Sequence, residues 1–147
     1  MNRVIKFRGK AKNNRWFHGS LLKDWAGTCQ IWEKDEYNAL NNFIVERETV
    51  GQFTGLHDKN GKEIYEGDIV SYKYIDNERN SRDKNVNIEG IAECVFKDGC
   101  FMFKCITGDF YLSEERAIFA VEYLRIPYKI IGNIHDNPEI LKKEQPC

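Results

Sequence analysis

Apolar and polar residues alternate along much of this chain at the period of short β-strands. Val4-Ile5-Lys6-Phe7-Arg8 is a β-prone run, and Arg15-Trp16-Phe17-His18-Gly19-Ser20-Leu21 is a second. The polar link between them ends in Asn13-Asn14, a pair that tolerates positive φ. The two runs predict a hairpin with a longer connection than the tightest type. Cys29-Gln30-Ile31-Trp32 reads as another strand. KDEYNALNNFIVERE fits a helical turn as well as a loop.

The middle of the chain is richest in turn chemistry. Gln52 to Leu56 reads as a strand, followed by His57-Asp58-Lys59-Asn60-Gly61 and a return through Lys62 to Tyr65. Asn60-Gly61 predicts a type I′ hairpin turn, because that turn needs φ > 0 at both central positions. Glu66-Gly67-Asp68 then breaks the run. Gly67 allows a sharp bend, and Asp68 is expected to accept a hydrogen bond from its own backbone two residues on. Ile69 to Tyr74 resumes the strand pattern.

Residues 76–87 are polar without apolar period and predict a solvated loop. Ile88 to Phe96 and Cys100 to Ile106 flank Asp98-Gly99, a second hairpin signal. Phe101, Phe103 and Cys105 share one face of the returning strand. Ser113 reads as the cap of a short helix through Glu114 and Glu115. Tyr128 to Ile134 is a strand. Asn137-Pro138 opens a short terminal helix with lysines in its last turn. The fold class is therefore mainly β, a β-rich α+β arrangement. It reads as one unit over 1–147, divisible into a β-rich N-terminal lobe at 1–61 and a second lobe at 62–141.

Composition narrows the function classes. The chain has 147 residues, is 41% hydrophobic and 13% aromatic, and carries a net charge of -1. Near-neutral charge gives the whole molecule no pull toward a phosphate backbone or an anionic membrane. No apolar run approaches a membrane span, and the basic N-terminus lacks the apolar core of a secretory signal. A soluble, cytoplasmic protein is expected. Five cysteines without a CxxC pair read as free thiols, although the Asp98-Gly99 hairpin leaves pairing of Cys94 with Cys100 or Cys105 open.

Three blocks, IKFRGK, TVGQFTGLHDKNGKEIYEGDIV and IIGNIHDNPEIL, resemble the YopX family of phage and prophage proteins. The resemblance runs from about Val4 to Leu141. It implies a small β-rich protein with an SH3-like barrel, a phage or prophage origin and a bacterial cytoplasmic setting, while the N-terminal hairpin lobe is read from the residues themselves. It implies no established activity and no catalytic residue.

Candidate chemistry is sparse. Asp58, Glu63, Glu66 and Asp68 lack the ligand alternation of an EF-hand-type loop. They read as turn formers, with Asn60, Gly61, Gly67 and Asp68 as a structural motif. His18, His57 and His135 have no His or Cys nearby in sequence to make a zinc pair. No nucleophile elbow or phosphate loop is present, so no catalytic residue, metal or cofactor is assigned. Lys6, Arg8, Lys12 and Arg15, interleaved with Trp16, are the one basic-aromatic cluster suited to single-stranded nucleic acid. The bland alternative puts Phe7, Trp16 and Phe17 in the core with the charges solvated.

The expected function is thus a non-enzymatic phage accessory module that binds a protein partner, its own copies included. Single-stranded nucleic-acid binding is the alternative, and a metal-dependent hydrolase a more distant one. No membrane partner is expected.

Overall fold

The structure is a computed structural model of the chain and describes residues 4–76, 86–108, 115–117 and 127–142. The chain divides into two compact units, residues 1–56 and 57–147. Strands dominate both, and the regular helical pieces among the described residues are two short 3-10 turns, Arg47–Thr49 and Pro138–Lys142.

The N-terminal unit holds β1 (Phe7–Lys10), β2 (Trp16–Lys23), β3 (Cys29–Lys34), β4 (Leu40–Val45) and β5 (Gly51–His57). They pair antiparallel in the order β4-β3-β2-β1-β5. Period two sends Phe17, Cys29, Ile31 and Val45 to one face, where they form the buried core. Phe7, Leu21, Phe43 and Val50 pack against it. The Phe17 and Phe43 rings stack with centroids 3.9 Å apart. These residues lie on strands separated by β3, so the sheet is strongly curled.

The C-terminal unit begins with β6 (Glu63–Tyr65), followed by β7 (Asp68–Asp76), β8 (Val86–Lys97), β9 (Cys100–Gly108), β10 (Glu115–Ala117) and β11 (Tyr128–Asn133). Its five-stranded sheet has the order β10-β9-β8-β7-β11. Ile69, Val70, Ala92, Cys94 and Phe103 are fully buried. The described strands leave β10 and β11 as edges. The SH3-like barrel implied by the resemblance is therefore not closed among the described residues.

The turns follow two recipes. Lys97-Asp98-Gly99-Cys100 is a two-residue turn with φ of 51° and 81° at its centre, the type I′ geometry expected there. Asn60-Gly61 does not form one. Only Gly61 has positive φ, 80°. Gly61 N–H donates to Asp58 C=O, and Asp58 N–H donates to Lys62 C=O. This is a three-residue loop, a type I turn followed by a left-handed residue. Asp58 Oδ1 accepts the N–H of Asn60 at 2.8 Å and of Lys62 at 2.9 Å. That carboxylate holds the longer turn.

Other expectations also change. Glu115 lies in β10, paired with Lys104, so a helix through Glu115 is overturned; Ser113 and Glu114 lie outside the described residues. So do residues 77–85 of the predicted loop, but Asp76 and Val86 to Asn87 are already strand. Asp68 bonds backward, its Oδ2 accepting Tyr65 N–H at 2.8 Å. Asn137 does not cap the terminal helical turn with its side chain, because its Oδ1 accepts Asn133 N–H instead. Cys29, Cys94 and Cys100 are free thiols, which excludes both pairings of Cys94. Cys105 is disulfide-bonded, so not every thiol is free.

Candidate functional site

The basic-aromatic cluster is built on β1 and β2. Arg8 pairs with His18 and Lys10 with Trp16 across the two strands. Arg8 is 7% exposed and its guanidinium lies 4.8 Å from the centre of the Trp16 ring, a cation–π contact. Arg15 stands 5.3 Å from the Phe17 ring. Lys12 and Arg15 are exposed, Lys6 and Trp16 are half-buried, and Phe17 is in the core. The structure brings Arg8 and Trp16 together but occupies the Trp16 face with Arg8. Ile5 is 52% exposed.

The carboxylate-rich turn is satisfied from within. Asp58 is 6% exposed. Besides Asn60 and Lys62, it accepts the N–H of Ile130 through Oδ2 at 3.1 Å. Lys59 N–H donates to Tyr128 C=O at 3.0 Å, so the loop is fastened to β11 at two points. Burial pushes the Asp58 carboxyl up. The N–H donors of Lys62, Ile130 and Asn60, with the Lys62 charge, outweigh that, and its pKa is lowered overall. Gly67 has φ of 80°, donates its N–H to Cys94 C=O and accepts from Ile134 N–H through its carbonyl. Gly61 and Gly67 thus take positive φ, and Asp68 binds backbone through its carboxylate. No group of three or more His, Cys, Asp or Glu among the described residues could hold a metal ion.

A groove of about 550 Å³ in the C-terminal unit is lined by Tyr72, Gly90, Thr107 and Gly108, with Lys59 and Lys73 among its charged residues. Lys73 is bonded to Glu89 at 3.0 Å on the exposed surface. Its floor is tight: a Cβ on Gly90 would lie 2.2 Å from the Tyr72 hydroxyl. Ser71 and Glu89 also line the groove.

The surface that stands out is at β4, the edge of the N-terminal sheet. Leu40, Asn42 and Ile44 share its outer face, and Leu40 and Ile44 are 58% and 66% exposed. Leu22 and Ile44 flank Gln30 in one cross-strand row. Two exposed aromatics flank the edge: Trp25, 100% exposed in the β2–β3 turn, and Tyr37, 83% exposed in the β3–β4 turn. Singly exposed apolar residues are ordinary, but here Leu22, Leu40 and Ile44 lie on one face of the sheet at its β4 edge, interleaved with Gln30 and Asn42.

The backbone of β4 adds the second half of the site. The turn before it closes with Asp35 N–H donating to Ala39 C=O. Hydrogen-bonded pairs recur every second residue of an antiparallel ladder. Asn41, Phe43 and Val45 therefore bond inward to Glu33, Ile31 and Cys29, their register partners. Leu40, Asn42 and Ile44 turn their N–H and C=O groups outward along the edge. Side-chain periodicity alone did not show this site, because β4 is apolar on both faces and its alternation is blurred.

A family model described as YopX protein matches residues 6–142. The crystal structure of protein EF1440 from Enterococcus faecalis is similar, with 24% sequence identity and a TM-score of 0.53 over 94% of this chain and 98% of that one. At that identity the likeness speaks to fold. No curated protein matches the chain. No helix among the described residues is long and apolar enough to cross a membrane.

Proposed function

The chain belongs to the YopX family, and from that premise we propose that it works as a non-enzymatic protein-interaction module with β4 as its contact edge. The observation that carries this is the outward backbone of Leu40, Asn42 and Ile44, flanked by exposed Leu22, Trp25 and Tyr37. Added strands bind such edges by main-chain hydrogen bonds, and side-chain pockets set their specificity. An SH3-like arrangement, a phage or prophage origin and a place in the host cytoplasm belong to the same proposal.

Single-stranded nucleic-acid binding through Lys6, Arg8, Lys12, Arg15 and Trp16 is the weaker reading. A base would have to stack on the ring that Arg8 already covers.

The test uses tagged wild type and a Leu40→Lys/Ile44→Lys variant as baits. Each is offered an extract of a prophage-bearing host and, separately, untagged copies of the chain. A protein or copy held by wild type and lost by the variant supports the module. Equal recovery by both baits, or none by either, overturns it. So does substrate turnover by the pure protein, abolished by a single carboxylate substitution.

A further inference from the structure

We propose that the occupant of the β4 edge is a second copy of the same edge, paired antiparallel about a twofold axis through Asn42. This deepens the interaction-module reading and rests on it. The inference comes from the order of residues in the strand.

A second strand must meet the outward N–H and C=O groups of Leu40, Asn42 and Ile44. Those residues of one copy must therefore stand opposite the same set in the other, since odd positions turn their groups inward. Only a few registers satisfy this. With Asn42 opposite Asn42, Leu40 falls opposite Ile44 at both ends. Apolar then meets apolar, and amide meets amide, along the exposed face. Up to about six main-chain hydrogen bonds form from these three pairs. A slip of two residues sets Asn42 against Ile44 or Leu40 and leaves the other apolar side chain without its mate. The sequence L-x-N-x-I is its own complement only in the first register.

Three further observations agree. Natural edge strands are usually blunted by Lys, Pro or a bulge, and Leu40–Val45 contains no charge and no proline. The β3–β4 ladder is also continuous, without a register shift. Cys29 pairs with Val45 and Lys34 with Leu40, so the Trp25 and Tyr37 turns lie at opposite ends of the strand. Antiparallel pairing then puts Trp25 of one copy at the same end as Tyr37 of the other. Because each copy uses its one β4 edge, the contact is isologous and closes at two chains.

Sedimentation equilibrium of the full chain, from low micromolar to sub-millimolar, should show a reversible monomer–dimer exchange. Ile44→Lys and Leu40→Lys, both at exposed positions, should each weaken it by at least about tenfold, with unchanged far-UV circular dichroism. Two opposed Asn42 residues would have Cα atoms about 5.5 Å apart, inside the range of a disulfide. Asn42→Cys should therefore form a covalent dimer on mild oxidation, whereas Asn41→Cys and wild type should not. A monomer throughout the range, equal cross-linking by Cys at 41 and 42, or a dimer indifferent to both lysine variants would overturn the proposal. If the extract still yields a protein that depends on Leu40 and Ile44, self-pairing alone has failed. If neither extract nor copy binds, the interaction-module reading has failed with it.

Discussion

At Asp58 the desolvation of a buried carboxylate is offset by three backbone donors, those of Asn60, Lys62 and Ile130. Both oxygens are used, so an amide in its place would turn an NH2 group toward a donor. Asp58→Asn should cost about 2 kcal/mol, read from denaturant midpoints. The lowered pKa fixes the sign of its pH dependence. Between the folded value and the unfolded one, about 3.9, the unfolded state binds more protons. The contribution of Asp58 is thus present above the unfolded value and lost as pH falls through the folded one. Acid melts should show a shallower loss in Asp58→Asn. Glu93 runs the other way: burial raises its pKa, Lys104 lowers it in part, and Glu66 raises it further. Its charged form weakens the fold above the folded pKa, and that penalty vanishes as pH falls below the unfolded one. Glu93→Gln should therefore match or exceed wild-type stability at neutral pH, and a clear loss would contradict this. The glycines separate in the same melts. Gly61 occupies a place held by Asn38 and Asn14 in kindred turns, with φ of 64° at both. Gly61→Asn should be nearly neutral, while Gly61→Val and Gly67→Val should each cost about 1–3 kcal/mol.

The turn elements show what was legible in the sequence and what was not. Four loops share one build: Ala11–Arg15, Asp24–Thr28, Asp35–Ala39 and Asp58–Lys62. In each, the first residue's N–H donates to the fifth residue's carbonyl, and its own carbonyl accepts from the fourth. The fourth residue is Asn14, Gly27, Asn38 or Gly61, all with positive φ. In the last three the leading Asp also accepts N–H groups through its side chain. The Asp98-Gly99 turn was readable because both central residues take the positive φ that the dipeptide predicts. Asn60-Gly61 misled because only Gly61 takes positive φ, while Asp58, two places upstream, binds the N–H groups of the longer turn. The hairpins of β1–β2 and β8–β9 were legible from alternation. β4 was not, since Leu40 and Ile44 outside and Phe43 and Val45 inside leave no polar face. At β8, Gly90 faces Gly108. A Cβ there would also meet Thr107 O at 2.3 Å, which is backbone and cannot step aside. Gly90→Ala should cost about 2–3 kcal/mol, and a melt equal to wild type would contradict that packing.

For the whole molecule, no group of three or more His, Cys, Asp or Glu among the described residues could hold a metal ion, while Leu40 and Ile44 stay exposed on the β4 edge of the N-terminal unit up to Glu46, whose N–H donates to Lys10 C=O. The Asp58 carboxylate holds backbone in place, and the surface proposed for contact lies in the stretch whose pattern was hardest to read. Residue-resolved amide exchange of the full chain tests this most directly. In dilute solution the amides of Asn41, Phe43 and Val45 should exchange slowly and those of Leu40, Asn42 and Ile44 fast. On raising the concentration, or adding a protein recovered on the wild-type bait, the second set should slow while the first stays unchanged. Leu40, Asn42 and Ile44 amides that are slow in the dilute monomer, or that remain fast in every complex, would contradict the assignment of β4 as the contact edge.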